Sequence, residues 1–519
     1  MKMRFSLRAV APAALMAVGL STSSAAQRTT PVVLDPAHMP RVATVDERYQ
    51  SYNIEMIQVM GGRWWSPYGA TAASAAGGFA SSPMQYRPPT DLADPRLRKL
   101  AAALSPAFVR VSDNWANTVY FQDDDKPALG APPPGFRAVI TRRQWQGVID
   151  FSQALDARVV TSFSIGDGVR DANGVWTPVE AKKLLAFFRR SGSSIAAAEF
   201  FNEPNLGVTS GTPKGYDATA YARDYKVFSA YIRAADPRMK LLGPGPVGED
   251  TPLPGLPKGI PTEDILRATG PGLDGVSWHF YGAVSHRCAA FGPRFQTTPE
   301  QALTPAWLAT TDKVAAYYAG LRDRYEPGKP LWLSETADAA CGGNPWAASF
   351  VDSFRYLNQL GVLAKRGVKV VMHNTLAGSD YGLIDDVTLA PRPNYWAALL
   401  WRRLMGTIVL DAGASPSPDL HLYAQCLRGR PGGVALLAIN ADRGQTHDVA
   451  LPVAGLRYTL SAKDLLGREV DLNGRPLRVT ANGALPPIEG VRMRAGSMAL
   501  PPASITFLAL PGAGNARCR

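Results

Sequence analysis

Two glutamates stand where apolar runs stop. Ile195-Ala196-Ala197-Ala198 leads into "EFFNEPN", which breaks at Asn202, Glu203 and Pro204, and "LWLSET" carries Glu335 at the close of another run. Short apolar runs bounded by turn formers read as buried strands. Burial disfavours the charged form of a carboxylate, a drawback in a structural residue and an advantage in a proton donor. Two facing carboxylates are the minimum equipment for cleaving a glycosidic bond: one protonates the leaving oxygen while the other attacks the sugar or activates a water. Either glutamate alone says less, because a strand-end Glu can simply pair with a neighbouring Arg. Asn202 also reads as a turn former before the proline, and His279, in "WHFY", as a buried structural histidine.

Such a pair needs a scaffold that brings distant segments to one place. Between residues 50 and 405, strand patterns at 52–59, 108–111, 158–163, 195–201, 239–243, 275–280, 330–335 and 368–374 alternate with helical patterns. The helical ones fall at 95–104, 143–155, 178–190, 218–235, 305–325 and 347–364. This alternation predicts the α/β class and a (β/α)8 TIM barrel over 50–405, with its active site at the C-terminal ends of the strands. Glu203 is expected at the end of the fourth strand and Glu335 at the end of the seventh. Beyond residue 406 the texture changes to short alternating strands, "HLYAQCLR", "GVALLAINA" and "SITFLALP", which predict a β-sandwich over 406–519. Residues 27–49, with "TTPVVLD", are expected to be extended and to add a strand to that sandwich.

The chain has 519 residues, 46% hydrophobic and 19% charged, long enough for one large and one smaller domain. Residues 1–26 predict a secretory signal peptide: Lys2, Arg4 and Arg8, an apolar segment too short to anchor in a bilayer, then Ser24-Ala25-Ala26. A secreted or periplasmic protein without a membrane anchor is expected. The formal charge of +12, or +9 without those three basic residues, favours an anionic partner, unless it is only the basic balance of many exported proteins. Export, and the lack of a basic helix, zinc-finger spacing or aromatic RNA-binding motif, argue against nucleic acid, whereas an acidic polysaccharide fits. With six histidines and neither HExxH nor CxxC, no metal and no cofactor are expected. Cys288, Cys341, Cys426 and Cys518 form an even set that allows three pairings in an oxidising compartment. Cys288 and Cys341 follow neighbouring barrel strands, so their loops are expected to meet.

Asn202-Glu203-Pro204 together with Glu335 resembles the acid/base and nucleophile of the retaining glycosidases of clan A. "DPRLRKLAAALSPAFVRV", "FFNEPN", "VSWHFYG", "LWLSETADAACGG", "SDYGLIDDVTLAPRPNYWAALLWRRLMGT" and "LPPASITFLAL" are similar to successive segments of the heparanase family, glycoside hydrolase family 79. The resemblance implies a catalytic barrel carrying a β-sandwich. It implies Glu203 as acid/base and Glu335 as nucleophile of a double displacement through a covalent glucuronyl-enzyme. Asn202 would bond the sugar 2-hydroxyl, His279 and Tyr281 would line the site and hold the nucleophile, and Glu55 and Tyr381 would contact the glucuronate ring. Gly342 lies in the glycine stretch whose backbone N–H groups receive the uronate carboxylate, and a Cys426–Cys518 bridge would tie the C-terminal end to the sandwich. "SDNWAN" replaces the glycine-rich turn of the animal members and leaves Asn114 as the sugar-contacting side chain, while Ala340 or Cys341 stands where an aromatic residue is expected. The stretch "QDDDKPALGAPPPGFRAVITRRQW" has no room for the linker excised from the animal proenzymes, so a single chain active without internal cleavage is expected.

The expected function is that of a retaining endo-β-glucuronidase cutting heparan sulfate or heparin between glucuronate and glucosamine, as a monomer. An exo-acting β-glucuronidase of the same family shares both glutamates, and a glycosaminoglycan-binding protein without activity would have little use for two facing carboxylates. Arg170, Lys182, Lys183, Arg287 and Arg294 lie in or near barrel loops, as sulfate contacts or as solvated surface charges.

Overall fold

The computed structural model describes residues 31–68, 83–249 and 259–519; the signal-peptide segment 1–26 lies outside the described residues. Eight parallel strands close a barrel: β1 (Gln50–Asn53), β2 (Ala107–Val111), β3 (Ala157–Thr161), β4 (Ile195–Glu199), β5 (Lys240–Val247), β6 (Gly275–Val284), β7 (Leu331–Ala340) and β8 (Val370–His373). Each pairs with its sequence neighbours, and β8 closes on β1 through Val371 opposite Gln50. Helices such as Arg142–Ala154, Val179–Arg190, Ala218–Ala235, Thr310–Tyr325 and Phe350–Lys365 fill the crossovers.

Inside the barrel, Phe108, Val160, Ala197, Leu242, Trp332, Val370 and Met372 form an apolar plug, with Phe108 and Trp332 rings 4.9 Å apart. Side chains two residues apart on a strand share a face. The layer above the plug is therefore set by Phe108, Ala197 and Trp332, whose next inward neighbours are Arg110, Glu199 and Ser334. The sequence thus switches from apolar to ionic within one strand step, which marks the floor of the site.

β4 stops two residues short of the expected 201, β5 and β6 run four residues past the expected 243 and 280, to Val247 and Val284, and two further strands differ in ways that shape the site. The first was expected to run over 52–59, but β1 stops at Asn53 and a short helix follows at Met56–Met60, where Gln58 Oε1 accepts from the Glu55 N–H at 2.8 Å. The apolar spacing of Tyr52, Ile54 and Met56 imitates a strand across that corner. The seventh does not end at Glu335 but continues to Ala340, because β6 and β7 stay paired past the barrel rim, Ala283 opposite Ala339 and Val284 opposite Ala340.

Among the described residues two small strand pairs, Gly62–Trp65 with Met84–Arg87 and Val119–Gln122 with Ala138–Thr141, flank the barrel, and the remaining strands make two larger sheets. One has the order Arg41–Thr44, Met405–Leu410, Leu420–Leu427, Val434–Asn440, Ser504–Leu510, Gly455–Ser461, then the short Asp471–Leu472 and Arg475–Pro476, with Val491–Met493 also paired to Gly455–Ser461. The other pairs Val32–Val33 with His447–Leu451 and Gly496–Leu500, so the segment before the barrel contributes a strand to each. Leu34, Leu410, Leu422, Leu436, Val449 and Leu508 pack between them. A Cys426–Cys518 disulfide joins strand Leu420–Leu427 to the C-terminal turn. Helix Phe350–Lys365 meets this unit closely: Tyr423 donates to Asn358 Oδ1 at 2.6 Å, and a Cβ at Gly361 would lie 2.4 Å from the Tyr423 ring.

Candidate active site

Glu203 sits four residues past the end of β4, at the start of a 3-10 helix (Pro204–Ser210), with φ 49° and ψ 58°. A left-handed non-glycine residue costs roughly 1–3 kcal/mol and persists only when its surroundings over-determine it. Asn117 supplies that constraint. It is fully buried, its Oδ1 accepts from Asn202 N at 2.8 Å, and its Nδ2 donates to Asn202 O at 2.8 Å and Ser210 O at 2.7 Å. The Glu203 carboxylate then receives Asn114 Nδ2 at 2.9 Å on Oε2 and stands 3.1 Å from His279 Nδ1 through Oε1.

Glu335 reaches the same place through a bulge. The β6–β7 register runs Trp278 opposite Leu333 and then His279 opposite Glu335, so Ser334 is the extra residue. Ser334 points inward, donating to Glu199 Oε1 at 2.6 Å, and Glu335 also points inward, accepting from Tyr281 OH at 2.6 Å and Arg110 Nη1 at 2.6 Å. Oxygens of Glu203 and Glu335 and a ring nitrogen of His279 lie within 4.8 Å of one another.

Beneath them is a buried ion pair. Arg110 is 0% exposed and donates to Glu199 Oε2 through Nη2 at 2.9 Å and Nε at 3.1 Å, and to Asn202 Oδ1 at 2.6 Å. Ser277 also donates to Glu199 Oε1, at 2.7 Å. Burial alone would raise the Glu199 carboxyl, but Arg110 and His279 hold it well below the usual range. Glu335 follows the same logic: burial opposes its charge, His279 and then Arg110 outweigh burial, and the Tyr281 hydroxyl adds to them, so it is held below the usual carboxylate value. Burial, and the Arg110 guanidinium 3.2 Å from Nε2, disfavour a charged His279, yet the surrounding glutamates, Glu335 foremost, push it up to about 9.

A second chain of polar groups adjoins Glu335. Asn374 Nδ2 lies 3.0 Å from Tyr281 OH, 3.1 Å from Tyr381 OH and 3.1 Å from Glu55 Oε1, and Tyr381 OH is 3.3 Å from the same Glu55 oxygen. Burial, Asp113 and Glu335 push Glu55 up to about 8, and its Oε2 has no partner among the described residues. Asp113, raised by burial to about 7, accepts from Ile57 N and Ala116 N.

Gly342 lies on a turn in which Cys341, Gly342 and Gly343 have φ of 64°, 81° and 88°. A Cβ at Gly342 would lie 2.7 Å from the Trp65 side chain, so glycine is required both by φ and by space. The Cys288–Cys341 disulfide fixes one end of this turn. Arg287 fixes the rest: it donates to Gly342 O at 3.1 Å and Gly343 O at 2.9 Å, pairs with Asp380, and stacks 3.7 Å over the Tyr68 ring.

The structure thus joins Glu203, Glu335, Asn202, His279, Tyr281, Asn114, Glu55 and Tyr381 into one hydrogen-bonded cluster, with Gly342 linked to it by Asp380 N–H, next to Tyr381. Arg110, Glu199, Asn117 and Asn374 were not anticipated. A lone charge inside an apolar strand, Arg110 in "AFVRV" and Glu199 in "IAAAE", was the available signal. Of the basic residues offered as sulfate contacts, Arg287 is occupied with the glycine turn, Arg170 pairs with buried Asp224 at 2.8 Å, and Lys183 pairs with Glu180 and donates to Phe121 O at 2.9 Å; Lys182 and Arg294 are exposed. Glu203, His279 and Glu335 would serve a divalent ion by donor type, but the Arg110 guanidinium and a cationic imidazole already supply the positive charge there. Among the described residues no helix is long and apolar enough to cross a membrane.

No family model matches the chain. It is 31% identical to a heparanase of Gallus gallus over 73% of this chain and 72% of that protein. It is 26% identical to heparanase-like protein 2 of Arabidopsis thaliana, over 93% and 94% of the two chains. In fold it is similar to a 4-O-α-L-rhamnosyl-β-D-glucuronidase from Fusarium oxysporum, with a TM-score of 0.64 at 12% identity, covering 92% of this chain and all of that one.

Proposed function

Because this chain belongs to the heparanase family and is a glycoside hydrolase, we propose that it is a retaining endo-β-glucuronidase that cuts heparan sulfate or heparin between glucuronate and glucosamine. The observation that carries the mechanism is the approach of the two glutamates, whose oxygens come within 4.8 Å. An approach this close of one oxygen from each supports the carboxyl separation of about 5–5.5 Å used for direct attack over the about 6.5–9.5 Å that inverting enzymes keep for a water.

In the first step a Glu335 oxygen bonds to the anomeric carbon as the glycosidic bond breaks, and Glu203 gives its proton to the leaving oxygen. In the second, Glu203 takes a proton from water, which bonds to the anomeric carbon and frees Glu335. Arg110, His279 and Tyr281 keep Glu335 ionised for attack. Asn202, fixed by Arg110 and Asn114, is placed for the sugar 2-hydroxyl. Glu55 and Tyr381 face the ring, and the Gly342 and Gly343 N–H groups, which have no acceptor among the described residues, are left for the uronate carboxylate. We also propose residues 50–405 as the catalytic unit, 406–519 as the sandwich, and export of a monomeric protein by residues 1–26.

Incubation with heparan sulfate and sizing of the products tests this reading. Fragments of intermediate length support it, whereas free glucuronic acid as the first product would assign the exo-acting alternative. Intact chains would remove the substrate assignment.

A further inference from the structure

On the opposite side of the barrel from the glutamates lies a cleft of about 790 Å³, within the usual size of ligand sites. Its walls are the strand Arg41–Thr44, the turn at Gly367 and Lys369 that precedes β8, and the C-terminal turn at Ala516 and Arg517. Lys369 stands at the N-terminal end of β8, with its N–H on Leu331 O at the start of β7, so this is the end of the barrel remote from His373 and Asn374. Among the described residues three cations line the cleft, Arg41, Lys369 and Arg517, and no carboxylate does.

The cations are held in place from behind. Cys518 is bridged to Cys426, and Asn515 donates to Pro36 O at 2.8 Å and Met39 O at 3.0 Å, which fastens the turn carrying Arg517 to the segment leading into Arg41. Lys369 Nζ donates to Thr44 Oγ1 at 3.2 Å and to Thr44 O, which aims the ammonium along the strand. Among the described residues Arg41–Thr44 is an edge strand of its sheet, so no further strand covers its open side beside the three charges. Burial, and then Arg41, lower the Lys369 ammonium below its ordinary value while Asp46 opposes them. Like charges are therefore gathered here at a cost that a bound anion would relieve. Two guanidinium forks and an ammonium around one opening are the donor set for a tetrahedral oxyanion.

We propose that this cleft is a second anion-binding site, which grips a sulfate group of a glycosaminoglycan chain on the far side of the barrel from the reaction. The location stands on the cleft's own residues; only the choice of a saccharide sulfate rests on the proposed substrate.

The test is calorimetric titration of the uncleaving Glu335→Gln protein with a sulfated heparin tetrasaccharide at low salt. Two sites per chain are expected. Adding Arg41→Gln, Lys369→Gln and Arg517→Gln should remove one, with each guanidinium worth about tenfold in affinity. The same three changes in the Glu335 background should leave turnover of a small aryl β-glucuronide unchanged. The exposed Arg517→Gln alone, which cannot disturb the core, should weaken the second site. A control triple, Arg457→Gln, Arg492→Gln and Arg494→Gln, should leave both sites. Equal stoichiometry and affinity in the wild-type and cleft-variant backgrounds, or equal loss in the control, would overturn the proposal. Inorganic sulfate separates it from the substrate reading: binding that the cleft variant loses upholds an anion site even if heparan sulfate is not cleaved. If sulfate distinguishes the proteins and the tetrasaccharide does not, the saccharide assignment falls.

Discussion

Tyr281→Phe removes one hydroxyl from the site and nothing else. That hydroxyl donates to Glu335 Oε1 at 2.6 Å, and its own ionisation is pushed well above the ordinary value by burial and then by Glu335, so it remains a donor throughout the working range. A hydrogen bond to a charged group is worth about 1.5–3 kcal/mol, and each pKa unit corresponds to about 1.36 kcal/mol. Losing the bond destabilises the ionised form of Glu335, so its pKa rises by about one to two units. Activity requires ionised Glu335 and falls as pH drops through that value. The acidic limb of kcat/KM should therefore move to higher pH by about one to two units, as a property of the coupled site. The assay is a pH profile on an aryl β-glucuronide, which needs no chain recognition, for wild type and variant alongside their melting temperatures. A variant that folds normally and keeps the wild-type acidic limb would refute the claim that Tyr281 helps hold Glu335 ionised.

Arg110→Gln leaves buried Glu199 and Glu335 without their guanidinium and should cost about 3–5 kcal/mol of stability, seen in denaturant unfolding; adding Glu199→Gln should recover part of that loss, and a double variant as unstable as the sum would contradict the pairing. His279, raised to about 9, contributes stability that is complete below its unfolded value of about 6.5 and is lost as pH rises through about 9. His279→Gln should accordingly flatten the alkaline fall of melting temperature, on which Glu55, raised to about 8, acts in the same direction. Cys426→Ser with Cys518→Ser should lower stability by up to about 4–5 kcal/mol with KM unchanged, whereas opening Cys288–Cys341 should free the glycine turn and raise KM; the reverse pattern would misplace both bridges.

The barrel was legible because each strand is a short apolar run followed by a helical period, and both glutamates were legible because they interrupt such runs. What the periodicity hid was the interior. Arg110 and Glu199 occupy positions that alternate with Phe108 and Ala197, and an inward charge is invisible to a pattern that registers only apolar residues. The pairing of Arg287 with Asp380 and the turn at 341–343 depends on segments far apart in the chain, so the same arginine read as a loop charge. Glu335 was placed at a strand end because Thr336 and Asp338 look polar, although the paired ribbon of β6 and β7 buries both.

In the proposed reaction Glu335 attacks the anomeric carbon of a glucuronide. Incubating the protein with a 2-fluoro-glucuronide carrying a good leaving group, followed by peptide mass spectrometry, tests it most directly. Time-dependent inactivation is expected, with one fluoroglucuronyl group on the peptide containing Glu335. An adduct on Glu203, or continued turnover of the reagent to the anomer of inverted configuration, would contradict it.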